Sequence, residues 1–126
     1  MALWFTYFRQ PTTVNTEIIM SNNAIEIVQF KLQENADLDQ FEAANTAFQG
    51  FIDQQPGVLY RSLAKLADAH CYVDVVYFET MADAKRIGDA FMENPICQQF
   101  AQLIEKDSVK LERYNAVSQT PCEQSA

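Results

Sequence analysis

Asp74 is the side chain in this 126-residue sequence that is best suited to acid–base chemistry. It lies between Val73 and Val75, in a run with the composition of a β-strand. A carboxylate among apolar strand neighbours is desolvated unless it is paired, and a desolvated carboxyl group is suited to take or give a proton. The alternative is a structural aspartate that bonds to a hydroxyl, an amide or Arg61. The residues leave both interpretations open.

Aromatic and basic side chains near Asp74 in the sequence could hold a phenolic or acidic ligand. A tyrosine combines ring stacking with a hydrogen bond, an arginine binds anions, and a histidine titrates near neutral pH. The candidates for ligand binding are Tyr60, Arg61, His70 and Tyr72. Each also has a structural interpretation, since strand tyrosines and arginines often serve cores or interfaces and a histidine in a turn is usually exposed.

The cysteines do not form a metal or redox motif. Cys71, Cys97 and Cys122 lie far apart, without a CxxC pair and without a histidine at the spacing of metal ligands. We expect Cys71 and Cys97 to be small buried apolar residues. The sequence also lacks a phosphate-binding loop, a Ser/His/Asp set and a flavin or nicotinamide fingerprint. We therefore expect no metal and no cofactor.

The charge balance argues against polyanionic partners. The formal net charge is −8, the pI is about 4.4, and the nine basic residues are scattered, so no patch could release counterions from nucleic acid or from an anionic membrane surface. No apolar run reaches the roughly eighteen residues of a membrane span. The odd, sparse cysteine count fits a reducing compartment, which predicts a cytoplasmic protein.

The length and the 48% hydrophobic composition suit one core. We expect a domain at residues 24–115, an extension at 1–23 and a disordered polar tail at 116–126. The extension does not read as a signal peptide, because no basic region precedes the apolar run at 2–5 and no small-residue cleavage site follows it. Met20 is an alternative start, which would make the first nineteen residues accessory or mis-assigned.

Hydrophobic periodicity predicts a βαββαβ order. Strands are expected at residues 24–32, 58–66, 71–79 and 108–114. This order predicts an α+β, ferredoxin-like fold with a four-stranded antiparallel sheet, whose right-handed crossovers place the helices on one face.

Three helices connect the strands. The first is expected at residues 37–54, with Leu38 directed inward and Gln49 on the solvent face. Thr80 caps the second, which Asn94-Pro95 interrupts. A third runs from 95 to about 106, with Ile96 directed inward.

The faces of the predicted strands suggest a ligand cavity and a second sheet. Both faces of the first strand are at least half apolar, which indicates a partner sheet on the side without helices. The first and third strands are neighbours in this fold, so Glu26 shares a face with Phe30, and Asp74 with Tyr72 and Phe78. Two carboxylates could then line one cavity, one of them holding its proton. A position of Glu26 at the rim is the alternative.

Five segments resemble stand-alone domains of the antibiotic biosynthesis monooxygenase group, in the dimeric α+β barrel superfamily. They are IEIVQF at 25–30, QQPGVLYRSL at 54–63, YVDVVYFETMADA at 72–84, AFMENPICQQF at 90–100 and DSVKLERY at 107–114. The likeness covers about residues 24–114, and its motifs concern structure more than activity.

The resemblance implies a homodimer that packs sheet to sheet, with a ligand cavity between sheet and helices in each protomer. It implies a cofactor-independent oxygenase, an oxidoreductase acting on a small quinol-like aromatic compound. The histidine ligand of the haem-degrading members has no counterpart in the predicted helices, while their pocket tryptophan corresponds most nearly to Phe78. Asp74 and Glu26 are then the candidate catalytic residues. The alternatives are a non-catalytic or stress-related protein that binds a small hydrophobic ligand, and a structural dimer whose interior is filled by phenylalanines.

Overall fold

A computed structural model of the chain describes residues 22–67 and 70–120. The strands are β1 (Ala24–Lys31), β2 (Val58–Lys65), β3 (Cys71–Phe78) and β4 (Lys110–Asn115), and the helices are α1 (Leu38–Asp53), α2 (Met81–Glu93) and α3 (Pro95–Ala101). A 3₁₀ turn, Lys106–Ser108, precedes β4. Most of the predicted extension, Cys122 and the last part of the predicted tail lie outside the described residues. Within the tail, Ala116 N–H donates to the carbonyl of Asn23 at 2.9 Å.

The four strands form one antiparallel sheet in the order β2-β3-β1-β4. One face of the sheet carries the buried residues of β1 and β3, which are Ala24, Phe30, Asp74, Val76 and Phe78. The apolar ones join the core together with residues of all three helices. The helices therefore cover one face of the sheet, which confirms the α+β ferredoxin-like fold. On the other face, strand residues such as Ile27 and Val75 are half-buried within a single chain.

Side-chain caps set the helix ends where the sequence predicts them. The Asp37 carboxylate accepts from the N–H of Asp39 at 2.9 Å, and the Thr80 hydroxyl accepts from the N–H of Asp83 at 3.1 Å. Asn94 ends α2 and caps α3, accepting from Ile96 N–H at 2.8 Å. Each cap satisfies an amide that the helix itself leaves without a partner.

Four predicted details are wrong. Helix α3 ends at Ala101 rather than near 106, because Leu32 forms a β-bridge with Ile104 and pulls the chain into an extended path. The last strand then starts at Lys110, after the 3₁₀ turn. Leu38 and Ile96 are 58% and 39% exposed instead of inward, since each lies on the solvent side of its helix, whereas Phe41 and Cys97 in the same region of each helix are buried.

None of the helices among the described residues is both long and apolar enough to cross a membrane.

Candidate functional site

Aromatic rings fill the space between the sheet and the helices. Phe41 and Phe48 of α1 stack on Phe100 of α3, with ring centroids 5.5 and 4.8 Å apart. From the sheet, Phe30 stacks on Tyr72 at 5.5 Å, and Tyr72 also contacts Phe41 at 5.2 Å. We call these five rings the aromatic cluster. It belongs to the hydrophobic core between the sheet and the helices.

A buried ion pair lies beside the aromatic cluster. Arg61 Nε donates to both Asp74 carboxylate oxygens, at 3.0 and 3.2 Å, and Nη2 donates to Oδ2 at 2.7 Å. The side chains are only 1% and 8% exposed. The guanidinium lies over the Phe48 ring, 4.6 Å from its centroid. This contact is the structural alternative that the sequence left open for Asp74.

Two amides of α1 also accept hydrogen bonds from Arg61. Asn45 Oδ1 accepts from Nη2 and Gln49 Oε1 accepts from Nη1, both at 2.9 Å. The Gln49 amide is in turn oriented by its donation to Asp53 at 2.9 Å. Four of the five N–H groups of Arg61 therefore have acceptors. The guanidinium is fixed in direction, as a group that recognises an oxyanion must be.

A second ion pair lies on the same face of the sheet. Glu26 is opposite Arg113 on β4 and opposite Val76 on β3, while Val76 is opposite Arg61 on β2. Arg61, Val76, Glu26 and Arg113 thus form one row across the sheet. Arg113 Nε donates to Glu26 Oε2 at 2.8 Å, and these side chains are 27% and 15% exposed. The buried Val76 separates this pair from the Arg61–Asp74 pair.

The structure brings most of the predicted site residues to the helix-facing side of the sheet, but not all. Asp74, Glu26, Arg61, Tyr72 and Phe78 share that side.

Tyr60 lies on the opposite side, 54% exposed, where its ring meets Tyr77 at 5.9 Å. Adjacent residues of a strand point to opposite faces, so Tyr60 and Arg61 cannot share one site. His70 is exposed in the turn before β3.

Asn45 and Gln49 are the site residues that sequence reasoning missed. The helical wheel predicts Gln49 on the solvent face, whereas it is half-buried against Arg61. The available signal is the spacing of the two amides, four residues apart and each next to an inward residue, Ala44 or Phe48. The Arg61 side chain is long enough to reach from the sheet to Gln49, so a residue beside the apolar face of the helix makes a buried polar contact.

An open cavity of about 330 Å³ lies elsewhere, near the end of α3. Its lining residues are Gln33, Ala101, Gln102, Ile104, Glu105 and Lys106, so neither Asp74 nor Glu26 takes part. Within residues 22–67 and 70–120, no group of three His, Cys, Asp or Glu side chains is placed to hold a metal ion. Cys97 is fully buried as predicted, and burial raises the pKa of its thiol to about 11, whereas Cys71 is only half-buried.

No family model matches the chain, and no curated protein sequence matches it. Several solved structures, however, have a fold similar to that of this chain. The fold is similar to SnoaB from Streptomyces nogalater, a cofactor-independent oxygenase, with a TM-score of 0.64 and 15% identity over 80% of this chain and 99% of SnoaB. A presumed antibiotic biosynthesis monooxygenase from Caulobacter crescentus gives a TM-score of 0.64 and 16% identity, over 81% of this chain and 96% of the other.

A third similar structure is a dimeric ferredoxin-like protein of unknown function from Jannaschia. Its TM-score is 0.57 and its identity 14%, over 74% of this chain and 98% of the other. Together these structures confirm the predicted resemblance to the antibiotic biosynthesis monooxygenase-like domains as one of fold. Identities this low do not extend it to a substrate or an activity.

Proposed function

We propose that this chain is a homodimeric, cofactor-independent monooxygenase that oxidises a small phenolic or quinol-like aromatic compound. The observation that carries the proposal is the buried Arg61–Asp74 pair beside the aromatic cluster. Removing two charges from water costs several kcal/mol each, and an apolar pair of similar volume often stabilises a fold as well or better. Stability alone therefore explains the buried pair poorly. The pair places a base, Asp74, next to a cation that can bind an oxyanion, Arg61.

In the proposed reaction Asp74 accepts a proton and Arg61 binds the phenolate that forms. The phenolic O–H of the substrate gives its proton to Asp74 as the Arg61 guanidinium transfers its contact to the developing phenolate. The electron-rich phenolate then reduces O₂. One oxygen atom replaces hydrogen on the ring carbon and the other leaves as water, so a naphthol and O₂ give a naphthoquinone and H₂O. The substrate supplies all the electrons, and the step balances without a reductant.

The ligand enters where the aromatic cluster is least enclosed. Tyr72 is half-buried, whereas Phe30, Phe41, Phe48 and Phe100 are buried. A flat ligand that displaces the Tyr72 ring would stack on Phe41 beside Asp74 and Arg61. The rotation of one half-buried side chain then opens the site.

The homodimer forms through the face of the sheet that carries no helices. Apolar residues of the two central strands lie there and are only half-buried in one chain: Ile25, Ile27, Val73, Val75 and Tyr77. Packing this face on a second copy removes apolar area from water. The similarity to a dimeric protein supports this arrangement. Multi-angle light scattering should give twice the chain mass, and a monomer at micromolar concentration would contradict the dimer.

A non-catalytic protein that binds a hydrophobic ligand, or a dimer with a filled interior, is the second candidate. The stacked rings and the near-complete coordination of Arg61 favour the filled interior, because both leave the site occupied by the protein's own groups. A ligand-binding protein predicts binding without oxygen uptake, and a filled interior predicts no binding.

Oxygen uptake and product mass with a panel of naphthols and quinols distinguish these candidates. We expect turnover by the wild type and a loss of at least a hundredfold in kcat/KM in Asp74→Asn, which retains the shape and removes the base. Asp89→Asn, at an exposed position on α2, makes the same change of charge away from the site. No turnover by the wild type, or unchanged turnover in Asp74→Asn, would refute the oxygenase.

A further inference from the structure

The two members of the buried ion pair differ in how many other groups hold them. In the part of the chain that the structure describes, every hydrogen bond to the Asp74 carboxylate comes from Arg61. Arg61, by contrast, also donates to Asn45 and Gln49 of α1, at 2.9 Å in both cases. Its guanidinium lies 4.6 Å from the centroid of the Phe48 ring as well. Asp74 therefore depends on Arg61, whereas Arg61 has partners besides Asp74.

These contacts divide the guanidinium of Arg61 into two sides. Nε–H and one N–H of Nη2 face the Asp74 carboxylate, while Nη1 and the other N–H of Nη2 face the amide oxygens of α1. A side-chain amide does not titrate, so its oxygen accepts a hydrogen bond whatever the charge of its neighbours. The contacts from α1 are consequently available both when the Asp74 carboxyl group is charged and when it is neutral.

The Gln49 amide is itself fixed in direction. Its nitrogen donates to Asp53 Oδ1 at 2.9 Å, so its oxygen is the atom that faces Arg61. Donation to a carboxylate also polarises the amide, which strengthens the hydrogen bond that its oxygen accepts. The helix therefore stabilises the position of the Arg61 cation separately from the Asp74 carboxylate.

We propose that Asn45 and Gln49 are positioning residues, which keep the Arg61 guanidinium in place when Asp74 has taken a proton. This inference rests on the proposed function, in which Asp74 accepts the phenolic proton and Arg61 binds the phenolate. Because α1 holds the guanidinium, the N–H groups that face Asp74 keep their position as the carboxylate loses its charge. They can then bind the oxyanion without a movement of the cation.

Hydrogen exchange of the Arg61 Nε–H, followed by ¹⁵N NMR, tests the proposal without a ligand and without turnover. The signal is identified as the one that Arg61→Lys removes, and Asp74→Asn imitates the neutral carboxyl group. We expect slow exchange in Asp74→Asn alone and in the pair Asn45→Leu and Gln49→Met alone, since each leaves one side held. Combining all three changes should accelerate exchange roughly tenfold or more over Asp74→Asn, as the loss of two hydrogen bonds predicts.

Matched variants separate positioning from a structural role. Replacing Asn45→Leu by Asn45→Asp in the triple variant keeps an acceptor on the helix side, so exchange should become slow again. Gln40→Met makes the same change as Gln49→Met at an exposed position of α1, and it should leave the exchange rate unchanged. If the triple variant does not fold, Gln49→Met with Asp74→Asn removes one acceptor and should accelerate exchange by a smaller factor.

Kinetics provides a second readout with any substrate that the oxygen-uptake panel reveals. Gln49→Met should lower kcat roughly tenfold and change KM by less than about twofold, because Arg61 meets a negative charge on the substrate only once the phenolate forms. A merely structural role of Gln49 predicts an unchanged kcat per folded molecule. Gln40→Met is again the control.

Three results would overturn the proposal: fast exchange of the Arg61 Nε–H in Asp74→Asn with both amides intact, slow exchange in the triple variant, or equal acceleration by the amide changes with and without Asp74→Asn. The last result would give the amides a purely structural role. Slow exchange in Asp74→Asn and fast exchange in the triple variant, without oxygen uptake by the wild type, would support the positioning of Arg61 and remove the oxygenase.

Discussion

Breaking the Arg61–Asp74 pair should be among the most destabilising single changes on the helix-facing side of the sheet. Arg61→Met keeps the alkyl stem against Phe48 but leaves the Asp74 carboxylate buried without its cation. Loss of one partner of a buried pair costs about 3 to 5 kcal/mol. Exposures of 1% and 8% leave little room for water to compensate, so we expect the upper half of that range. Asn45 and Gln49 also lose their donor.

A double-mutant cycle isolates the pair from the packing around it. Arg61→Met combined with Asp74→Leu replaces both charges with apolar groups, so it should recover at least about 2 kcal/mol relative to Arg61→Met alone. The free energy of unfolding comes from urea titration at one fixed protein concentration, since a dimer's stability depends on concentration. In thermal unfolding the single variant should lose well over about 10 °C.

An exposed ion pair provides the control for this cycle. Arg86 and Asp83 are 2.8 Å apart with side chains 48% and 22% exposed, so Arg86→Met should cost no more than about 1 kcal/mol. A loss below about 1 kcal/mol in Arg61→Met, or a double variant no more stable than either single one, would show that the pair is not energetically isolated from water. The basis for treating it as a functional group would then be removed.

Two further predictions concern the turn after α1 and the buried thiol. Gly57 has φ of 95°, and a Cβ there would lie 2.5 Å from Asp83 Cγ. Gly57→Ala should therefore lower the free energy of unfolding by about 2 kcal/mol in the urea titration. Gly50 lies within α1 with open space around it, so Gly50→Ala should raise that free energy by up to about 1 kcal/mol. Because burial raises the pKa of Cys97 from 9.0 to about 11, its contribution to stability should be complete below pH 9 and lost as the pH rises from 9 to 11. With the other two cysteines replaced by serine, a thiol reagent at pH 8 should react only after denaturant is added, and rapid reaction of the native protein would contradict the buried position.

Local patterns in the sequence are sufficient to predict the fold. The alternation in β1 and β3, the caps at Asp37 and Thr80 and the break at Asn94-Pro95 act over a few residues, so they can be read without knowing which elements touch. The predicted end of α3 was wrong because a residue distant in sequence determines it, through the β-bridge between Leu32 and Ile104. Local helix propensity carries no information about a contact between two residues more than seventy positions apart in the sequence.

The sequence by itself determined that Glu26 and Asp74 face the helices, because a strand's period of two places them on that side once the sheet is accepted. It did not decide which of Tyr60 and Arg61 faces the same side. Only the tertiary structure decided how those groups are paired. The cross-strand register put Arg61 beside Asp74 and Glu26 beside Arg113, and the approach of α1 added Asn45 and Gln49. Register and helix position depend on the packing of the whole core, where a shift of one residue would turn every side chain to the other face.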